Sequence, residues 1–186
     1  LGGQSPYIEN WNGYNSSALT AGTYTYTVTD NQNCNFSNTI TITEPNELLV
    51  TETVNDVLCK DENTGNVLLN ITGGITPYNE NWGAFNPLAL NDGNYTYTVT
   101  DFNGCTFSNS VTITEPTLLT SNITTTDAVC FGYNDGTATL TLSGGTGTLN
   151  VNWCGMDPNA LPQGTHAYTV TDDNGCTYTD DVTINE

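Results

Sequence analysis

The chain repeats itself every 71 residues without a gap, so whatever it folds into is built about two and a half times over. Trp11, Trp82 and Trp153 mark the step, since 82 − 11 = 153 − 82 = 71. The same step links Cys34, Cys105 and Cys176, links Cys59 to Cys130, and links Asp30, Asp101 and Asp172. It also carries Gly2-Gly3 onto Gly73-Gly74 and Gly144-Gly145, and Pro45 onto Pro116. We therefore expect residues 1–45 to hold the C-terminal part of one unit, and residues 46–116 and 117–186 to be complete units. The joints read Thr43-Glu44-Pro45 and Thr114-Glu115-Pro116. Proline has no N–H to extend a ladder, so each joint ends a strand. The joints are short and not rich in Gly or Ser, which predicts semi-rigid neighbours.

Within a unit the local period is 2. In the run Tyr95 to Asp101, Tyr95, Tyr97 and Val99 share one face and the threonines share the other, the pattern of a strand with one buried and one wet face. Asp101-Phe102-Asn103-Gly104 then turns the chain into a second alternating run ending at Val111 to Thr114, a β-hairpin. Gly104 falls where the turn needs positive φ; its counterparts are Gly175 and Asn33, and Asn is the non-glycine residue that best tolerates that conformation. Leu48 to Val54, Asn66 to Thr72 and Tyr78 to Trp82 read as further strands, and no amphipathic helical stretch is present. This predicts six or seven short strands per unit, an all-β chain of tandem Ig-like sandwich modules in an elongated array. Trp82 is expected at the centre of its module, packed by Val67, Leu69, Leu90, Tyr97, Val99 and Ile113, rather than exposed as a sugar-stacking platform.

Charge limits the partners. One basic residue against 20 acidic ones gives a formal net charge of −19. Such a chain cannot neutralise phosphates, which excludes nucleic acid, and it has no basic patch for an anionic membrane. No apolar run approaches the roughly 20 residues of a membrane span. One His cannot supply a nucleophile–base set to three copies, so no catalytic residue is expected and the chain is read as not an enzyme.

Two runs carry a resemblance. Gly-Gly-x-x-Pro-Tyr-x-x-x-Trp occurs at Gly2 to Trp11 and Gly73 to Trp82. Leu-x-x-Gly-x-Tyr-x-Tyr-Thr-Val-Thr-Asp-x-x-Gly-Cys occurs at Leu90 to Cys105, followed by Ile-Thr-Glu-Pro. Together they resemble the SprB-type repeat of Bacteroidetes gliding-motility adhesins, itself similar in outline to PKD and other Ig-like modules. The third copy departs from the pattern: Thr148-Leu149 replaces Pro-Tyr, His166 replaces the first Tyr, and Cys154 follows the Trp. The resemblance implies an extracellular, surface-held location and export by type IX secretion. It implies a stalk segment whose partners are neighbouring repeats of the same chain and the gliding and secretion machinery. Substratum or polysaccharide would be held by other parts of the protein. The rival readings are a polysaccharide-binding repeat, which a recurring row of exposed aromatics would favour, and a spacer in a secreted enzyme.

Six cysteines without a Cys-x-x-Cys spacing argue against zinc and for an oxidising compartment. The recurrence of two cysteines per unit suggests structural disulfides inside each module, Cys59 to Cys105 and Cys130 to Cys176, each closing a loop that would contribute about 4 kcal/mol. The rival pairing crosses the joints, Cys34 to Cys59 and Cys105 to Cys130. One objection to the first is that in an Ig-like module the first loop and the last hairpin turn lie at opposite ends. Cys34 would pair with a residue before position 1, and Cys154 has no counterpart in the other copies. No cofactor is expected. Asp30, Asp101 and Asp172 would suit calcium, but capping of the hairpin turn is the reading we favour, and the acidic pair Asp61-Glu62 does not recur. His166 is expected to pack where copies one and two have Tyr24 and Tyr95.

Overall fold

A computed structural model describes residues 2–186. Thirteen strands and no helix occur among the described residues. The first three, β1 (Ile8–Asn10), β2 (Gly22–Thr29) and β3 (Asn35–Ile42), form one antiparallel sheet in the order β1-β2-β3. The second unit opens with a two-stranded sheet, β4 (Leu49–Asn55) and β5 (Asn66–Thr72). It continues with a three-stranded sheet, β6 (Asn79–Asn81), β7 (Gly93–Thr100) and β8 (Thr106–Ile113). The third unit repeats this arrangement with β9 (Thr120–Thr126), β10 (Thr137–Ser143), β11 (Asn150–Asn152), β12 (Gly164–Thr171) and β13 (Thr177–Ile184).

Each complete unit thus has five strands, fewer than the six or seven expected. The difference lies in the segment after the Trp. Residues 83–92 run as turns with only a single bridge, Gly65 to Leu90, and the third unit does the same with Gly136 and Leu161. Asn86, Pro87, Asn91 and Gly93 in this stretch favour turns over a ladder.

Alternation along the strands builds the cores. Val50, Val67, Tyr97, Val99 and Ile113 face inward around Trp82, with Leu90 and Val57 closing one end. Trp82 lies 4.8 Å from Tyr97, ring centre to ring centre, and is buried with its indole N–H unpartnered. All six neighbours expected around it belong to this cluster. The third unit packs its own residues, with Trp153 on Tyr168 at 5.0 Å and Leu161, Val170 and Ile184 fully buried. Neither core includes a residue of the other unit.

Two features fix which end of a unit is which. At the entry end, Phe102 N donates to Ile75 O, and Gly74 N donates to Asn46 O, so the hairpin tip after β7 lies beside the Gly-Gly turn and the incoming chain. At the exit end, Val57 N donates to Thr114 O and Thr114 N to Asp56 Oδ1, so the loop after β4 lies beside the outgoing chain. Gly73 is required at the entry end: its φ is +70°, and a Cβ there would stand 1.8 Å from Glu47 O.

Candidate functional site: the junction between repeat units

The three recurring aspartates share one arrangement, each bonding the hairpin cysteine's N–H and an N–H of the segment after the Gly-Gly turn. Asp30 Oδ1 accepts from Cys34 N at 2.8 Å and Gln32 N at 2.9 Å, while Oδ2 accepts from Gln4 N at 3.0 Å. Asp101 takes Cys105 N at 2.8 Å and Ile75 N at 2.9 Å. Asp172 takes Cys176 N and Thr146 N, both at 2.8 Å, and Asn174 N at 3.0 Å. One carboxylate therefore caps the hairpin turn and clamps it to the Gly-Gly turn, which is the turn-capping role expected. Amides of Cys34, Gln4 and Gln32 hold the Asp30 carboxyl below its ordinary range. For Asp101, burial pushes the other way, but the amides of Ile75, Cys105 and Asn103 outweigh it and the net shift is downward. Gly104, Gly175 and Asn33 sit at φ of +86°, +85° and +65°, as the turn demands.

Each hairpin tip then presents a cysteine on the entry face of its unit. The cysteine of the loop between β4 and β5, Cys59, sits on the exit face. The disulfide that forms joins Cys59 to Cys176, with Cα atoms 5.6 Å apart and a sequence separation of 117. It runs from the exit face of the second unit to the entry face of the third. This replaces the expected pairing of Cys59 with Cys105 and Cys130 with Cys176; Cys105 and Cys130 are free and exposed, as are Cys34 and Cys154. The reason is distance. Cys59 and Cys105 lie at opposite ends of one sandwich, and β8 alone spans roughly 25 Å, whereas a disulfide needs Cα atoms within about 7 Å. The rival pairing of Cys34 with Cys59 and Cys105 with Cys130 is not formed either. Because the first loop and the last hairpin occupy opposite ends of a sandwich, the loop of one unit faces the hairpin of the next.

Polar contacts hold the loop in position. Asn174 Nδ2 donates to Leu58 O at 3.0 Å, across the junction. Lys60, the only Lys or Arg in the sequence, pairs with Glu115 of the joint and lies 3.2 Å from Asp61 Oδ1. Glu115 Oε2 also accepts from Asp61 N at 2.8 Å. The contact with Glu115 raises the Lys60 pKa above its ordinary value, and Lys60 in turn lowers that of Glu115. Sequence reasoning missed this pair. Its signal was that the lone lysine directly follows the loop cysteine while a glutamate recurs at both joints.

The remaining candidates are structural. His166 is buried and its Nε2 bonds Pro162 O at 2.8 Å; the hydroxyls of Tyr95 and Tyr24 bond Asn91 O at 3.1 Å and Thr20 O at 3.0 Å. All three copies thus tie the strand back to the carbonyl four positions earlier, as the tyrosine corner of Ig-like domains does. Cys154 stands at φ +56°, in the left-handed region that its counterparts Asn12 and Gly83 also occupy. Among the described residues no group of three or more His, Cys, Asp or Glu side chains is placed to hold a metal ion, Asp61 and Glu62 included. No helix of the described residues is long and apolar enough to cross a membrane.

The SprB repeat family model matches residues 51–79 and 122–149. The two segments begin one period apart, 122 − 51 = 71, and each runs from the first strand of a complete unit past its Gly-Gly turn. The match bears out the resemblance drawn from the sequence motifs: both segments are similar to the SprB repeat. No curated protein matches the chain.

Proposed function

We propose that the chain is a stretch of the stalk of a very large secreted adhesin, a mechanical spacer that supports surface attachment and gliding from outside the outer membrane. The observation that carries this reading is the Cys59–Cys176 bond, which ties the exit face of one sandwich to the entry face of the next. A bond from one unit to the next limits how far the pair can be drawn apart, which is what a load-bearing rod requires. The net charge of −19 keeps neighbouring filaments apart. The chain is read as non-enzymatic, its one imidazole being engaged by Pro162 O. The polysaccharide-binding reading lacks its expected support: exposed Tyr14 and Phe85 pack edge-on against Tyr24 and Tyr95, and the third copy has Met156 there instead of an aromatic. Contacts to substratum and to the gliding and secretion machinery are assigned to other parts of the protein.

Deleting residues 46–116, one whole period, from the full-length protein tests the reading. The expected result is normal export with adhesion and surface movement retained. Loss of adhesion in a correctly exported, folded protein would mean that the repeats themselves carry the grip.

A further inference from the structure

The cleft that receives the Cys59 loop exists in more than one copy. At the third unit it measures about 280 Å³ and is walled by Leu118, Leu119, Gly145 and Cys176, with Cys59 and Lys60 forming the opposite wall. At the second unit the corresponding residues, Glu47, Leu48, Gly74 and Cys105, wall a cleft of about 370 Å³ with no loop in it. At the first unit Gly3, Asp30 and Cys34 form part of the same wall. The two cysteines of the staple are half-buried, while their counterparts are exposed. Asn103 stands one period before Asn174, the residue that bonds the incoming loop. On the other side, Val129 and Phe131 flank Cys130 and are 82% and 83% exposed, whereas the counterpart Leu58 is 48% exposed with its carbonyl bonded to Asn174, and Lys60 lines the cleft of the third unit.

We propose that Cys105 and Cys130 are the two open halves of this same staple. Cys105 receives the loop cysteine of the repeat unit before its own, one period behind Cys59. Cys130 reaches the hairpin cysteine of a unit following Glu186. Every loop then bonds to the hairpin of the next unit, giving a disulfide ladder that advances by one period per rung. Each bond forms by thiol–disulfide exchange: a disulfide donor oxidises the pair, the first thiolate forms a mixed disulfide, the second displaces the donor's thiolate, and two protons are released.

The ladder has a mechanical consequence. Cys105 and Cys130 are close in the chain, about a third of a period apart, and the staple from Cys130 then skips the rest of its own unit and much of the next. In a fully stapled array the shortest covalent path therefore uses roughly 25 residues for every two periods, about 90 Å of taut chain in place of about 500 Å. Two such paths run in parallel, one through Cys59 and Cys176 and one through Cys105 and Cys130, so no single bond carries the whole load.

The test extends this chain in its own register. Residues 46–71 are placed before Leu1, which completes the first unit, and residues 116–186 are placed after Glu186, which adds a fourth. The protein is oxidised with glutathione disulfide, its free thiols are alkylated, and its peptides are mapped without reduction after cleavage by a non-tryptic protease. The expected result is Cys105 bonded to the added loop cysteine and Cys130 bonded to the added hairpin cysteine, both protected from alkylation, alongside Cys59–Cys176. Formation of Cys59–Cys176 with Cys105 and Cys130 still alkylated overturns the proposal, because the fold is then intact and the ladder absent. Failure of all three bonds overturns it as well, since the template bond itself is then not a property of the repeat.

Discussion

The hairpin tips of the second and third units are nearly the same structure in different company. Asp101 and Asp172 cap them with the same bonds, Gly104 and Gly175 turn them at φ of +86° and +85°, and Cys105 and Cys176 project from the same face. Yet Cys176 is bonded and Cys105 is free. What differs is the neighbour within residues 2–186: a complete sandwich with a β4–β5 loop precedes the third unit, whereas residues 2–45, before the second, carry the three-stranded sheet alone. A repeat can thus encode its local geometry fully and still leave its covalent bonding to the unit next door.

Substitution of the two tips separates local from neighbour effects most strongly. Cys176→Ser should lower the unfolding free energy of the two complete units by up to about 5 kcal/mol, because the long loop that this bond closes constrains the unfolded chain. Cys105→Ser should leave stability in this chain unchanged. Denaturant unfolding of both variants under non-reducing conditions checks this, and equal losses would break the comparison.

The entry-end turn offers a second contrast. Gly73→Ala forces a Cβ onto Glu47 O in a left-handed residue and should cost about 3 kcal/mol or more. Gly83→Ala, in the turn after β6 at φ +65° but with no atom within 4 Å of the added Cβ, should cost only about 1 kcal/mol. Thermal melts of the two proteins give the answer.

Acid sharpens the comparison further. The carboxyls of Asp30 and Asp101 have folded pKa values below the ordinary 3.8, so the stability they confer is fully present above that pH and is lost as pH falls through the lowered folded values. The melting temperature should hold from neutral pH to about pH 4, the ordinary carboxyl value, and fall below it. Asp101→Asn should flatten that fall while lowering the plateau. The smallest effect expected is that of Lys60→Met, which frees the loop from Glu115. Staple formation should slow a few-fold at low salt, and the difference should shrink at high salt as the ion pair is screened.

Much of this was legible in the residues. The alternation Tyr95, Tyr97, Val99 gave the strand and its inward face, the Gly or Asn at 104, 175 and 33 gave the turn, and the recurring Trp gave the centre of the core. The aspartate caps followed from their place at the start of each hairpin. The strand count was too high because the stretch from Gly83 to Asp92 satisfies its backbone through turns, which alternation does not register. The disulfide was misassigned because recurrence tells which cysteines are equivalent and not which are adjacent. Equivalence by one period fits pairing within a unit or across a junction equally well, and only the placement of Cys59 and Cys105 at opposite ends of the sandwich distinguishes them.

The second and third units are tied covalently, loop to hairpin, by Cys59–Cys176. Pulling single molecules by their two ends, with and without reductant, measures this directly. The oxidised chain should stop short of the reduced one by the length that Cys59–Cys176 withholds, about 400 Å of contour. Equal final lengths in the two conditions would contradict a covalent tie between the units.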